Sequence, residues 1–383
     1  MGCHLPADLI MEIHARLPLN SQARFRCVCK DWHSSLTNPE FTTNHVIRAQ
    51  ENPNYQKVVC FRIKSSLYKV NFERYDTPYD KTTMFDVNPE INKKIALPRE
   101  NPQVLPYTII GSCNGLIFLS YGIQKFYLLN PLTGESRQLY NFSVKPKTKF
   151  AFGYDSSTRD YKIIRFEPDE PYSDLWVFSL KNNSWRCLKP NIQDIPKQLI
   201  PDLKTHQAVE VGGFLHWQVD SRNHDRVLTF DLAQEKFGEL INLPKDPNEE
   251  ARIIGLSVLH GCLCVTRKSI ANMAQGCSIW TMKEYGVAES WTKLIILKAL
   301  GLDWTYFSDS RFFPICYIKK GRVLLLQNVN KIILYDLEKE SFTYSEIPVT
   351  VEERASWLLA AGEYEGMVPL EERLSWLLAR GYI

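Results

Sequence analysis

The sequence predicts a mainly β chain that carries a small helical domain at its N-terminus and a short helical tail at its C-terminus. Three observations carry that reading. Residues 5–46 place apolar side chains at helical spacing. From about residue 55 the chain changes to short alternating segments rich in Val, Ile, Leu, Phe, Tyr and Trp, separated by polar turns. Through that second region a unit of about fifty residues recurs.

The helical stretch comes first. Leu5, Leu9, Ile10, Ile13 and Leu17 recur at steps of one to four and form the apolar face of a helix. Pro18 interrupts it, because proline lacks a donor and clashes with the preceding turn. Asn20 or Ser21 caps a second helix carrying Phe25, Val28 and Cys29, and Lys30 to Leu36 forms a third around Trp32. Asn38-Pro39 opens a fourth short piece, with proline in the first helical turn. Several helices of two or three turns bury too little to stand alone, so the segment calls for an apolar partner.

Leu5-Pro6, Glu12-Ile13, Arg16-Leu17-Pro18 and Arg24-Phe25-Arg26-Cys27-Val28, followed by Lys30 and Trp32, resemble the F-box. Order and spacing of many residues agree, although His14, Gln22 and Ala23 stand where that family usually has larger aliphatic residues. The resemblance implies docking to a Skp-type adaptor through Leu5, Pro6, Leu9, Ile10, Ile13, Leu17, Pro18, Arg24, Val28 and Trp32. Residues 1–48 are assigned to this domain.

The repeats define the second domain. NGLIFLS with FYLLNPLTGESRQL, GFLHWQV with VLTFDLAQEKFGEL, and GRVLLLQ with IILYDLEKESFTYSEI are copies of one pattern. Each has a glycine and an apolar strand, then a strand ending at Asp or Asn, a polar turn and a short strand. The aligned positions are Asp86, Asn130, Ser179, Asp231, Thr281 and Asp336, at intervals of 44, 49, 52, 50 and 55 residues. Six units with room for four strands each predict a six-bladed β-propeller over residues 55–348. In the first unit the strands are placed at Val58–Ile63, Leu67–Phe72, Thr83–Val87 and Lys94–Leu97. A pair of β-sandwiches is the alternative that the regular period argues against.

Ser112-Cys113-Asn114-Gly115-Leu116, Leu129-Asn130-Pro131 with Thr133-Gly134, Phe152-Gly153-Tyr154-Asp155, Asp160-Tyr161-Lys162 and the run from Val177 to Arg186 resemble the plant F-box-associated domain. Kelch propellers have a similar period, but only Gly212-Gly213 supplies their glycine doublet. Pollen S-locus F-box proteins share the architecture and are not separated from the general family by these motifs.

The tail, residues 349–383, departs from that family. VEERASWLLAAGEY at Val351–Tyr364 is nearly repeated as LEERLSWLLARGYI at Leu370–Ile383, with Trp357 and Trp376 nineteen residues apart. Thr350 with Glu353 reads as a capping box, and Gly362 and Gly381 read as C-terminal caps of two short amphipathic helices. The preferred reading is a duplicated, solvent-tolerant extension, so ending the chain after Val349 is expected to leave stability unchanged. A docking or self-association element is the alternative.

Composition excludes several classes. Hydrophobic content of 44% and aromatic content of 12% mark a folded chain. A formal charge of +3 offers no electrostatic case for nucleic acid, and no apolar run approaches the ~18 residues a membrane helix needs. The helical motif begins at Leu5, leaving no room for a leader peptide, and Pro6 stands where a myristoylation signal needs Ser or Thr. The ten cysteines form no CxxC pair, which argues against a zinc site, and their scatter through the strands without a secretion signal is expected of a reducing compartment, the cytoplasm, the nucleus or both.

The sequence carries no phosphate loop, nucleophile elbow or zinc helix. His216 reads as a strand histidine, and Asp231 and Asp336 as turn acceptors. Catalytic, cofactor and metal residues are therefore expected to be none. The combined resemblances imply a non-catalytic substrate receptor of an SCF-type ubiquitin ligase. It would bind a Skp-type adaptor, and through it a cullin and a RING subunit, while the propeller holds a protein target. An adaptor-bound scaffold and a propeller enzyme with a helical cap are the alternatives. The loops joining second to third strands share a face with the links between units and are long by this reading, for example Val219–Asp225 and Lys189–Thr205. Tyr172, Arg222, Trp304 and Tyr306 are the candidate target contacts on that face.

Overall fold

In the repeats, apolar runs such as Leu116–Tyr121 are too continuous for strands with one wet face, and call for sheets stacked on both sides. The computed structural model describes residues 6–15, 25, 27–37, 57–63, 66–71, 93–95, 107–122, 125–130, 136–140, 148–166, 175–188, 208–219, 226–241, 243, 251–269, 276–297, 312–318, 321–327, 331–346 and 360–363. Among these residues two α-helices, α1 (Ala7–Ala15) and α2 (Lys30–Thr37), precede a series of four-stranded antiparallel sheets.

Five sheets are continuous meanders in chain order. The first is β4 (Tyr107–Cys113), β5 (Leu116–Tyr121), β6 (Lys125–Leu129) and β7 (Ser136–Leu139). The second is β8 (Lys149–Asp155), β9 (Asp160–Phe166), β10 (Leu175–Ser179) and β11 (Ser184–Leu188). The third is β12 (Val209–Val211), β13 (Phe214–Val219), β14 (Arg226–Asp231) and β15 (Lys236–Phe237). The fourth is β16 (Ala251–Leu259), β17 (Cys262–Ser269), β18 (Cys277–Met282) and β19 (Trp291–Leu297). The fifth is β20 (Phe312–Ile318), β21 (Arg322–Gln327), β22 (Lys331–Asp336) and β23 (Ser341–Glu346).

The first strands β4, β8, β12, β16 and β20 neighbour one another in succession, so the meanders stand around a common axis with their first strands innermost. Burial follows that order. The second strands are buried along nearly their whole length, whereas outer strands such as β11 are half exposed. Apolar layers fill each gap: Phe118, Phe126 and Phe152 between the first two meanders, Val177, Trp217 and Phe230 in the next gap, then Val227, Ile253 and Val265, and Ile279, Phe312 and Val323 in the last. This is the blade stacking of a β-propeller. The inner strands approach closely: a Cβ built on Gly153 would lie 3.0 Å from the Glu210 side chain of β12, and one on Gly255 would lie 2.5 Å from the Phe313 ring of β20.

The sixth sheet differs and corrects two expectations. It joins β1 (Lys57–Ile63), β2 (Ser66–Asn71) and β3 (Lys93–Ile95) to β24 (Ala360–Glu363), in the order β24-β1-β2-β3. The sequence predicts six equivalent, self-contained blades, whereas five blades are self-contained in the described residues. The expected strand Thr83–Val87 lies outside those residues, and β3 occupies the place beside β2. The inner place beside β1 is taken by a tail segment expected to be helical. Ala, Leu, Glu and Arg give that tail helical propensity, but an open sheet edge offers Ala360–Glu363 main-chain partners that propensity cannot match. β24 also lies beside β4, so it belongs to the ring and is no loose extension. The rest of the tail lies outside the described residues.

Candidate functional site

Two places in the molecule concentrate unusual side chains: the helical pair and the tight-turn side of the propeller. In the helical pair, α1 starts where the Pro6 carbonyl accepts the amides of Leu9 at 3.0 Å and Ile10 at 3.1 Å. At the start of α2 the Cys29 thiol accepts the Trp32 amide at 3.4 Å, and Asp31 sits favourably in the first turn. The helices meet over a small core of Leu36, Met11 and Phe25.

His14 is buried in that core. Its ring lies edge-on to Trp32 at 4.8 Å between centroids and 6.1 Å from Phe25, while Phe25 and Trp32 are 5.1 Å apart. Burial holds its pKa below the usual histidine range. An imidazole thus fills volume that an aliphatic side chain would otherwise take, which accounts for the departure at this position.

With His14 and Met11 turned inward, the other face of α1 is left to solvent. Leu9 is 51% exposed and Ile13 46%, one helical turn apart, and Val28 after the first helix is 60% exposed. Pro6 is exposed as well. Of the residues predicted to dock an adaptor, Pro6, Leu9, Ile13 and Val28 are thus exposed. Ile10 is half-buried, and Trp32 is half-buried with its ring on His14 and Phe25. Leu5, Leu17, Pro18 and Arg24 lie outside the described residues.

On the propeller, the turns joining first to second and third to fourth strands open on one side. Several need a left-handed residue, supplied by Asn114, Arg159, Asn183, Glu235, His260 and Glu340, with left-handed glycines following Asn114 and His260. Asp231 accepts the amides of Ala233 and Gln234 at 2.8 and 2.9 Å, and Asp336 those of Glu338 and Lys339 at 3.1 and 3.0 Å. These carboxylates hold turns, as the repeat frame predicts.

A buried ionic group ties the second blade to the third at this side. Lys162 Nζ lies 2.8 Å from Asp155 and 2.9 Å from Glu235, and donates to the Leu232 carbonyl at 2.6 Å. Arg186 pairs with the same Glu235. Burial would raise the Asp155 pKa, but hydrogen bonds from Lys162, Ser157 and Thr158 and the lysine charge outweigh it and hold the carboxyl well below the usual range. For Lys162, burial is outweighed by the two carboxylates, and its pKa is raised. Sequence reasoning passed over this group because its members are spread over eighty residues, with no linear motif.

Nearer the axis, the Cys113 thiol donates to Glu210 at 3.3 Å, and the Gly213 amide donates to the same carboxylate at 2.8 Å. Burial raises the Glu210 pKa. His216 is fully buried. Its Nδ1 faces the Val209 carbonyl at 3.0 Å and therefore carries the proton, leaving Nε2 to accept from the Tyr285 hydroxyl at 2.8 Å. Burial lowers its pKa to about 4. Both ring nitrogens are engaged, so this histidine is a structural pivot between the third and fourth blades. No group of three metal-ligating side chains occurs among the described residues. The predicted target contacts Tyr172, Arg222, Trp304 and Tyr306 all lie outside the described residues.

Comparison with known families decides what the two parts are. The model of the F-box associated beta propeller domain matches residues 56–364, and that of the F-box domain matches residues 3–44. The chain belongs to the F-box associated β-propeller family. The match ends one residue beyond β24, which agrees with that strand being part of the propeller. This F-box chain is 28% identical to the F-box protein CPR1 of Arabidopsis thaliana over 375 residues, covering 88% of this chain and 83% of that protein. It is likewise 28% identical to the putative F-box only protein 10 of the same plant over 367 residues, covering 88% and 90%. Among solved structures, a chain of a nidogen/laminin complex aligns with 12% identity and a TM-score of 0.45, covering 81% of this chain and 99% of that one.

Proposed function

We propose that this F-box protein is the non-catalytic substrate-receptor subunit of an SCF-type E3 ubiquitin ligase. The observation that carries the reading is the exposed apolar set Leu9, Ile13 and Val28 on a helical pair that turns Met11, His14, Phe25 and Leu36 toward one another. Such a set on an F-box is suited to a Skp-type adaptor, and through it to a cullin and a RING subunit. The propeller then holds a protein target. The mechanism is proximity: two binding surfaces on one chain raise the effective concentration of target lysines at a conjugating enzyme supplied by the partners.

The target face is assigned to the side of the loops joining second to third strands and of the links between blades, with Tyr172, Arg222, Trp304 and Tyr306 as contacts. What supports this is the opposite side, where most turns are tight and satisfied by their own hydrogen bonds. The ring count is extended to six by taking β24-β1-β2-β3 as a blade, supported by β24 lying beside β4. Cytoplasm, nucleus or both is the proposed location, in keeping with buried cysteines at Cys113, Cys264 and Cys277 that are joined in no disulfide. The engaged state of His216 and of the Lys162 group favours a binding scaffold over a propeller enzyme.

The test is affinity capture from native tissue with proteasome activity blocked, followed by ubiquitin transfer with adaptor, cullin and RING subunits added. Captured proteins should be modified only when the chain is present and should accumulate when it is removed. Stable partners whose abundance and modification ignore the chain would instead support the non-degradative scaffold.

A further inference from the structure

One connection on the tight-turn side of the propeller is long. Residues 283–290 join β18 to β19 through a single 3-10 turn at Ala288–Ser290, and they reach over the third blade. The Tyr285 ring stacks on Phe214 of β13 with centroids 5.0 Å apart and planes at 29°, and meets His216 at 5.5 Å in a T-shaped contact. Its hydroxyl is held by His216 at 2.8 Å. The loop is also fastened from within. The Ser290 hydroxyl bridges the Glu284 and Val287 carbonyls at 2.9 and 2.7 Å, and the Gly286 amide donates to the Met282 sulfur at 3.1 Å. The ring is therefore fixed in place, yet Tyr285 and Val287, two residues apart, are each 40% exposed.

The surroundings of this ring are acidic. Asp231 lies opposite Phe214 in the register of β13 and β14, and Glu284 and Glu289 are exposed on the loop itself. Burial first, and then the Asp231 and Glu210 charges, raise the Tyr285 pKa. These carboxyl groups outnumber Lys236, opposite Asp231, and Lys283. We propose that the Tyr285–Phe214 stack, with Val287 beside it, docks a basic segment of a protein partner. An Arg or Lys side chain would lie over the tyrosine ring, and an adjoining apolar side chain would cover Val287. An aromatic face attracts a cation, and nearby carboxylates add to that attraction. Because the ring is held before the partner arrives, little ordering cost is left for binding. The chain as a whole carries a formal charge of +3, so a cationic segment has no general attraction to it and is drawn to this patch. A second copy of the chain is the poorer occupant, because a two-fold contact would set the same excess of carboxylates against itself. The site is on the side away from the loops assigned to the target, so it adds a contact and does not depend on that assignment.

The test is calorimetric titration of the full chain with hexa-arginine and with hexa-citrulline, its neutral counterpart, at about 50 mM salt so that charge is little screened. Hexa-arginine should saturate a single site, and hexa-citrulline should bind at least about threefold more weakly. Tyr285→Leu should weaken hexa-arginine by about two- to fivefold, the share of an exposed aromatic ring. Glu284→Lys changes an exposed side chain, so it should leave the melting temperature unchanged and weaken hexa-arginine by about three- to tenfold. Adaptor binding should be unaltered in both variants, which separates this site from the receptor reading. Absence of saturable binding, or equal binding of the two peptides, would overturn the proposal. Undiminished binding by Glu284→Lys, or by Tyr285→Leu with its melting temperature retained, would do the same. Self-association of the full chain that Glu284→Lys abolishes would give the site to a second copy and overturn it as well.

Discussion

Lys162→Met is the sharpest probe of how the propeller is held. The lysine side chain is 6% exposed and its partner carboxylates, Asp155 and Glu235, are 1% and 9% exposed. The substitution keeps the length of the side chain but leaves the buried Asp155 carboxylate without a cation, leaves Glu235 with Arg186 alone, and frees the Leu232 carbonyl. Removing one partner of a buried pair costs about 3–5 kcal/mol. At about 2–4 °C per kcal/mol for a unit of this size, the melting temperature should fall by about 6–20 °C in calorimetry. The acid limb should change as well. The folded pKa of Asp155 is depressed, so its contribution is present above the ordinary value of 3.8 and is lost as pH falls through the folded pKa. In the variant that contribution is lost, so this part of the fall in stability below pH 3.8 should be absent. Lys162 itself has a raised pKa, so its share is intact below 10.5 and is lost only as the solution becomes more alkaline than that. A fall of less than about 3 °C, with an unchanged acid limb, would refute the view that this group ties the second blade to the third.

Other expectations are more local. Tyr285→Phe removes the hydroxyl donor to buried His216 and should cost about 1–3 kcal/mol, seen as a lowered urea midpoint with unchanged slope. Because His216 has a folded pKa of about 4 against 6.5 unfolded, stability should fall by about 3 kcal/mol between pH 6.5 and 4, and His216→Gln should lose that part of the slope. Leu9→Asp and Ile13→Asp alter exposed side chains, so the melting temperature should stay within about 2 °C while adaptor affinity in calorimetric titration drops well over tenfold. Trp304→Ala with Tyr306→Ala should abolish capture of the target and leave adaptor binding intact, whereas loss only on changing Lys181 and Asn182 would place the target on the other face.

Much of the propeller was legible because its repeat places one kind of residue at one kind of turn. Asn130, Ser179, Asp231, Thr281 and Asp336 each fall within one residue of the end of a third strand. In the last copy of the pattern, GRVLLLQ coincides with β21 from Arg322, and IILYD falls on β22, which begins at Lys331. The closing strand was not legible. A four-residue segment within a sequence of Glu, Arg, Ala and Leu has no period-two pattern, and its state is set by an edge formed some three hundred residues earlier. The expectation that ending the chain after Val349 is silent therefore reverses: that truncation removes β24 and should lower the melting temperature. In the helical pair the apolar periodicity gave the helices but could not say which apolar residues face inward. His14, a polar residue in sequence, takes a core place, and Leu9 and Ile13 are left outside.

The central claim is that residues 1–48 form the surface that joins this chain to a Skp-type adaptor while the propeller remains an independent binding unit. Size-exclusion chromatography with light scattering on the full chain and on a chain lacking residues 1–48, each mixed with purified adaptor, tests it most directly. The account predicts a stable complex with the full chain and none with the shortened one, whose propeller still melts cooperatively. Undiminished adaptor binding by the shortened chain, or no binding by the full chain, would contradict it.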